Sequence, residues 1–166
     1  MKLLGVAGVV VALFAAGPVA AASEGDFIGH FNGAWSGSGT VIKGSMPWHV
    51  SCRVSGQPDR NRITIAGDCS VAIVDVRISA DLTYDPATDS YSGTYIGAKV
   101  GPAHLFGKRT GNTVHLAITW PKPVNGDTKA RMTIVNSGFS LRIVVTDNVT
   151  PGGPEEATSD LVLSQG

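Results

Sequence analysis

Histidine, cysteine, serine and paired carboxylates are the side chains through which a protein carries out proton transfer, nucleophilic attack or metal binding. In this chain they are few and far apart. The four histidines are His30, His49, His104 and His115. His49 and His115 alternate with apolar neighbours, so on an extended chain they oppose the apolar face and are expected to meet solvent. His104 shares a face with Phe106 and Lys108, which leaves its direction open, and His30 lies in a short leading turn placed to cover one end of the fold. Ser36 and Ser38 lie among glycines, but neither completes a Gly-x-Ser-x-Gly elbow. Gly37-Ser38-Gly39 lacks the third glycine and the following helix of a dinucleotide fingerprint. Asp75, Arg77 and Asp81 alternate along one strand and read as a solvated face rather than a carboxylate pair tuned for proton transfer. No catalytic residue is assigned on this reading, no metal or cofactor is expected, and the chain is not expected to be an enzyme.

Cys52 and Cys69 are the two cysteines. They fall on the apolar faces of consecutive strands, and an even count in an oxidising compartment points to a disulfide. A bond closing a loop of this length would contribute ~3 kcal/mol by the chain-entropy model. A redox pair or a metal site would call for Cys-x-x-Cys spacing or a nearby histidine, and the chain has neither there. A turn centred on residues 55–61 would have to be asymmetric to bring the two cysteines opposite each other.

These side chains must be positioned by strands. Residues 33–42 form the first, with Trp35, Gly37, Gly39 and Val41 on one face, a pattern suited to a strand that closes a barrel bottom and then bends. Residues 46–54 place Trp48, Val50, Cys52 and Val54 together, and residues 62–69 return with Ile63, Ile65, Gly67 and Cys69. Residues 71–84 read as one long half-buried strand, followed by strands at 90–96, through Arg109, at 114–120, 129–135, 139–146 and 157–164. On the strand at 139–146, Phe139, Leu141, Ile143 and Val145 share a side. Residues 121–127, with two prolines, read as a loop that cannot be a central strand. No helical period stands out beyond the short turn before Gly33. The fold class is therefore all-β: an antiparallel up-and-down barrel of about 8–10 strands with a short N-terminal helical turn, or alternatively a sandwich.

Residues 1–22 read as a signal peptide: Lys2, a wholly apolar stretch too short for a stable bilayer span, then small residues before Ser23. The remainder, 23–166, is expected to be one barrel domain, exported to the periplasm or secreted. It holds 12 basic and 13 acidic side chains with no basic cluster, which argues against nucleic acid or an anionic membrane as its main partner.

The short apolar turn at residues 27–32 followed by Gly33-Ala34-Trp35 resembles the calycin group of barrels, which includes lipocalins, fatty-acid-binding proteins and nitrobindin-like proteins. The chain is also similar to a group of small exported proteins of alphaproteobacteria through Trp48-His49-Val50-Ser51-Cys52-Arg53, Gly67-Asp68-Cys69 and Ile118-Thr119-Trp120-Pro121-Lys122. The second resemblance covers nearly the whole chain after residue 22 and implies no activity. The first implies a basic side chain packed over Trp35, a role that would fall to Arg131 or Arg142, since no arginine or lysine follows the final strand. Nitrobindin-like proteins bind haem through a histidine near the C-terminus; no histidine follows His115 here, so haem is not expected.

The aromatic residues Trp35, Trp48, Tyr91, Tyr95, Trp120 and Phe139 serve either as core filler or as pocket lining. The leading expectation is an exported, non-enzymatic barrel that holds a small apolar or amphipathic ligand against Trp35, Val50, Tyr91, Tyr95, Leu116, Ile118, Phe139, Leu141 and Ile143. The alternative is an envelope protein-interaction module or hydrolase inhibitor acting through loops at 121–127 and 148–156.

Overall fold

A sheet with apolar side chains at every second position exposes one apolar face unless something covers it, and here the sheet covers its own by closing. The computed structural model describes residues 23–44, 46–97 and 100–166; the signal segment expected at 1–22 lies outside them. A short helix, α1 (Glu24–Gly29), precedes ten strands: β1 (Gly33–Lys43), β2 (Met46–Asp59), β3 (Arg62–Val71), β4 (Val74–Asp85), β5 (Ser90–Ile96), β6 (Ala103–Thr110), β7 (Thr113–Val124), β8 (Asp127–Asn136), β9 (Ser140–Asn148) and β10 (Glu155–Gln165). Each strand pairs antiparallel with its neighbour in sequence, and β10 pairs with β1, so the barrel is closed and the sandwich alternative is excluded.

The closing pair depends on glycine. Gly37 faces Leu163 and Gly39 faces Leu161. A Cβ at position 37 would stand 2.0 Å from the Val162 carbonyl oxygen, and one at 39 would stand 2.0 Å from that of Asp160. Side chains are excluded there by backbone, which lets β1 coil sharply against β10.

Several boundaries differ from the sequence reading. β2 runs on to Asp59, so the β2–β3 turn is only Arg60-Asn61, and Cys52 pairs directly with Cys69 in a symmetric hairpin. No asymmetric turn is needed. The two cysteines are bonded with Cα atoms 4.0 Å apart, and both are buried inside the barrel. The long strand expected at 71–84 is split: Val71 pairs with Val74 across a turn at Ala72-Ile73, where Ala72 has φ 55°. An alternating apolar pattern continues through this turn and hides it, because neither turn residue is the usual glycine or asparagine. β7 includes both Pro121 and Pro123, which correct the expected loop. The ladder to β8 is nevertheless regular only as far as Thr119 and resumes at Val124, since proline offers no N–H to pair.

Two outcomes follow. A Cys52→Ser/Cys69→Ser variant, or the reduced protein, should lose about 3 kcal/mol of unfolding free energy in denaturant titration. Gly37→Ala should destabilise by about 1–3 kcal/mol through overpacking against β10, measured the same way.

Candidate ligand site in the open half of the barrel

The two ends of the barrel are built differently. At one end α1 begins with Ser23, whose Oγ accepts a hydrogen bond from the Asp26 N–H at 3.2 Å. The helix then drives Phe27, Ile28 and the following Phe31 into the barrel, where all three are buried. Trp35 Nε1 donates to the Phe31 carbonyl at 3.2 Å. That carbonyl also presses on Gly56, where a Cβ would stand 1.8 Å away, so the tryptophan and a bare stretch of β2 together seat the plug.

Glu24 accepts hydrogen bonds from the Tyr91 hydroxyl and from Arg109 Nε at 2.8 Å, and the Arg109 guanidinium lies 4.8 Å over the Phe27 ring. Burial and the adjacent Glu24 carboxylate push the Tyr91 hydroxyl far above its usual range. The hydrogen bond to Glu24 likewise raises Arg109. The basic side chain over the plug is thus Arg109. Arg131 and Arg142 pair instead with Glu155 and Asp160 on the outer wall, which corrects the expectation that one of them covers Trp35.

Among the described residues no helix covers the opposite end, and burial falls off toward it on β1, β4 and β5, while Ala103, Trp120 and Ala130 on β6 to β8 stay buried there. On β4 Leu82 is buried while Ile78 and Ala80 are partly accessible; on β1 Trp35 is buried while Val41 is partly accessible; on β5 Tyr91 is buried while Tyr95 is partly accessible. At the rim Met46, Trp48 and Val74 are exposed, and Ile73 at the tip of the β3–β4 turn is 99% exposed.

A carboxylate faces inward at this end. Asp147 on β9 is 3% exposed; its Oδ2 accepts from Trp120 Nε1 at 3.1 Å and its Oδ1 from the Asn148 N–H at 2.7 Å. Burial pushes its carboxyl above the usual carboxylate range, against the lowering effect of those two donors. The Tyr95 ring lies 6.2 Å from that of Trp120, and burial raises its hydroxyl as well. Tyr95, Trp120 and Asp147 therefore make an aromatic wall with polar tips below the open rim. The sequence reading picked out Tyr95 and Trp120 but missed Asp147. A signal was present, since Asp147 continues the inward series Leu141, Ile143, Val145.

Among the residues expected to line the interior, Trp35, Val50, Tyr91, Leu116, Ile118 and Leu141 are buried, and Ile143 and Tyr95 pack against the core partly accessible. Trp35 and Tyr91 are committed to the plugged end by their hydrogen bonds. Phe139 is a correction: it is 82% exposed. β9 starts at Ser140, so Phe139 sits in the turn beyond the wall, with its carbonyl bonded to the Gln165 N–H, and strand parity no longer aims it inward. All four histidines are exposed. Among the described residues no three His, Cys, Asp or Glu side chains are grouped to hold a metal ion.

No family model matches the chain. No curated protein sequence matches it either. Its fold is similar to that in the crystal structure of Rv2717c from M. tuberculosis, with a TM-score of 0.67 and 13% identity over 89% of this chain and 99% of that one, a likeness of barrel architecture alone.

Proposed function

We propose that this protein is an exported, non-enzymatic, calycin-like barrel that takes up a small apolar or amphipathic molecule through its open end. The observation that carries the reading is the gradient of burial along β1, β4 and β5: Trp35, Leu82 and Tyr91 are sealed beneath the helical plug, and Val41, Ile78, Ala80 and Tyr95 are partly accessible beneath the rim. A hydrocarbon tail would displace water from Val41, Ile78, Ala80 and Ile143 and reach toward Ile118, at roughly 25 cal/mol per Å² removed from water. The Tyr95 hydroxyl and Asp147, raised toward its neutral form, would face the polar head. The buried disulfide supports an oxidising compartment.

A second reading, an interaction module acting through residues 121–127 and 148–156, is supported by how these segments join. Asn125 donates to the Asn148 carbonyl, Asn148 Nδ2 donates to Asp127 at 3.0 Å, and Gly126 abuts Pro151. A surface held in this way is preorganised for a protein partner.

Native mass spectrometry of protein purified from its host, together with titration of an environment-sensitive fatty-acid dye, tests the first reading. Wild type should carry or bind such a molecule, Val41→Trp should weaken dye binding at least about tenfold by filling the opening, and Phe139→Ala should leave it unchanged. A ligand-free protein that ignores the dye overturns the carrier. Partner capture abolished by substitutions at 125 and 148, with no dye uptake, favours the second reading. N-terminal sequencing of the exported protein should begin at Ser23.

Asp147 also makes a pH prediction. Its folded-state pKa is raised, so the folded chain retains a proton that the unfolded chain releases, and stability falls as pH rises from about 3.9 through the folded value. Asp147→Asn removes the charge and keeps one acceptor oxygen for the Trp120 N–H, at the cost of the hydrogen bond from the Asn148 N–H. In denaturant titrations across pH, wild-type stability should fall as pH rises through this range and the variant should lack that fall.

A further inference from the structure

The outer wall of a barrel is ordinarily convex, yet across β1 to β4 this one carries a depression of about 970 Å³. The inner side of the same wall explains the shape. Gly37 and Gly67 present no side chain there, a Cβ at 67 would stand 2.1 Å from the Arg53 carbonyl oxygen, and the Cys52–Cys69 bond draws β2 and β3 together.

Register then sets two polar rows side by side across the depression. One runs Ser36, Arg53, Asp68, Arg77 at directly opposed positions on β1, β2, β3 and β4. The other runs Ser38, Ser51, Ser70, Asp75. Arg77 stands 3.9 Å from Asp68, and Ser70 donates to Asp75. The Arg53 side chain, by contrast, makes no ion pair or hydrogen bond with any described residue, although it stands between two depressions, the second of about 400 Å³ running toward Gly166.

The geometry points to a binding site for a carboxylated saccharide. The planar fork of Arg53 matches one carboxylate in bidentate fashion. The serine hydroxyls both donate and accept, and Asp68 and Asp75 accept, which suits a run of sugar hydroxyls. The two carboxylates balance the two arginines, so a polyanion such as nucleic acid would meet repulsion as well as attraction. The lining is too polar to favour an apolar ligand. This site lies on the opposite face of the wall from the proposed interior cavity and does not depend on it.

The test is titration of the ¹⁵N-labelled protein with maltotriose oxidised to a single terminal uronate, with its methyl ester and with maltotriose as comparisons. Amide shifts should be confined to residues near 36–38, 51–53, 68–70 and 75–77. Arg53→Ala should weaken binding at least about tenfold and Arg53→Lys less, because an ammonium cannot form the fork. Ser51→Ala should weaken it by a smaller factor. Both positions are exposed, and matched melting curves confirm that the three variants fold. The proposal is overturned if no shifts appear up to roughly 10 mM, if Arg53→Ala binds as wild type does, or if the ester or maltotriose binds equally well.

Discussion

The approach of the first strand to the last is the constraint on which the rest depends. β1 can lie against β10 only because positions 37 and 39 carry no side chain, since the space a Cβ would take is occupied by the carbonyls of Val162 and Asp160. Once that seam closes, every strand has two partners and the inward apolar row of each is removed from water. A single methyl group on the seam acts on the whole ring, because an opened barrel exposes two unpaired edges and one apolar face together.

Closure leaves two ends, and the chain treats them differently. One is stoppered by Phe27, Ile28 and Phe31, held by the Trp35 indole and by the Glu24, Tyr91 and Arg109 group. At the other, the β3–β4 turn carries an exposed apolar tip at Ile73, and Val41, Ile78, Ala80 and Tyr95 beneath the rim stay partly accessible. An inward carboxylate beside an indole belongs to that second end. On the proposed carrier reading, this asymmetry would set the ligand's direction, with the tail toward the plug and the head toward Asp147.

The same absence of side chains that closes the seam also shapes the outside. Gly37 serves the β10 contact and also lines the outer depression, and Cys52 of the disulfide lines it too. Hydroxyl and guanidinium groups that would be unremarkable on a convex surface converge on a shared concavity, and a converging set can bind what a diverging set cannot.

Period-two alternation and the glycine and proline punctuation were enough to make the all-β barrel legible, because burial of one strand face is a local property of the sequence. The inward direction of Val50, Leu116, Ile118 and Leu141 and the cysteine pairing were legible on the same ground. Turns without turn residues were not: Ala72-Ile73 continues the apolar alternation, and only pairing of Val71 with Val74 reveals the reversal. Phe139 kept its parity on paper, yet the wall ends one residue after it. Arg109 meets Glu24 and Phe27, and Asp147 meets Trp120, only through the closed ring, since these partners are distant in the chain. Sequence by itself therefore determined the strands and their inner faces, which follow from alternation. Tertiary structure alone decided which end is sealed, which carboxylate is buried and where the wall is hollow, because each depends on contacts between strands that no local pattern encodes.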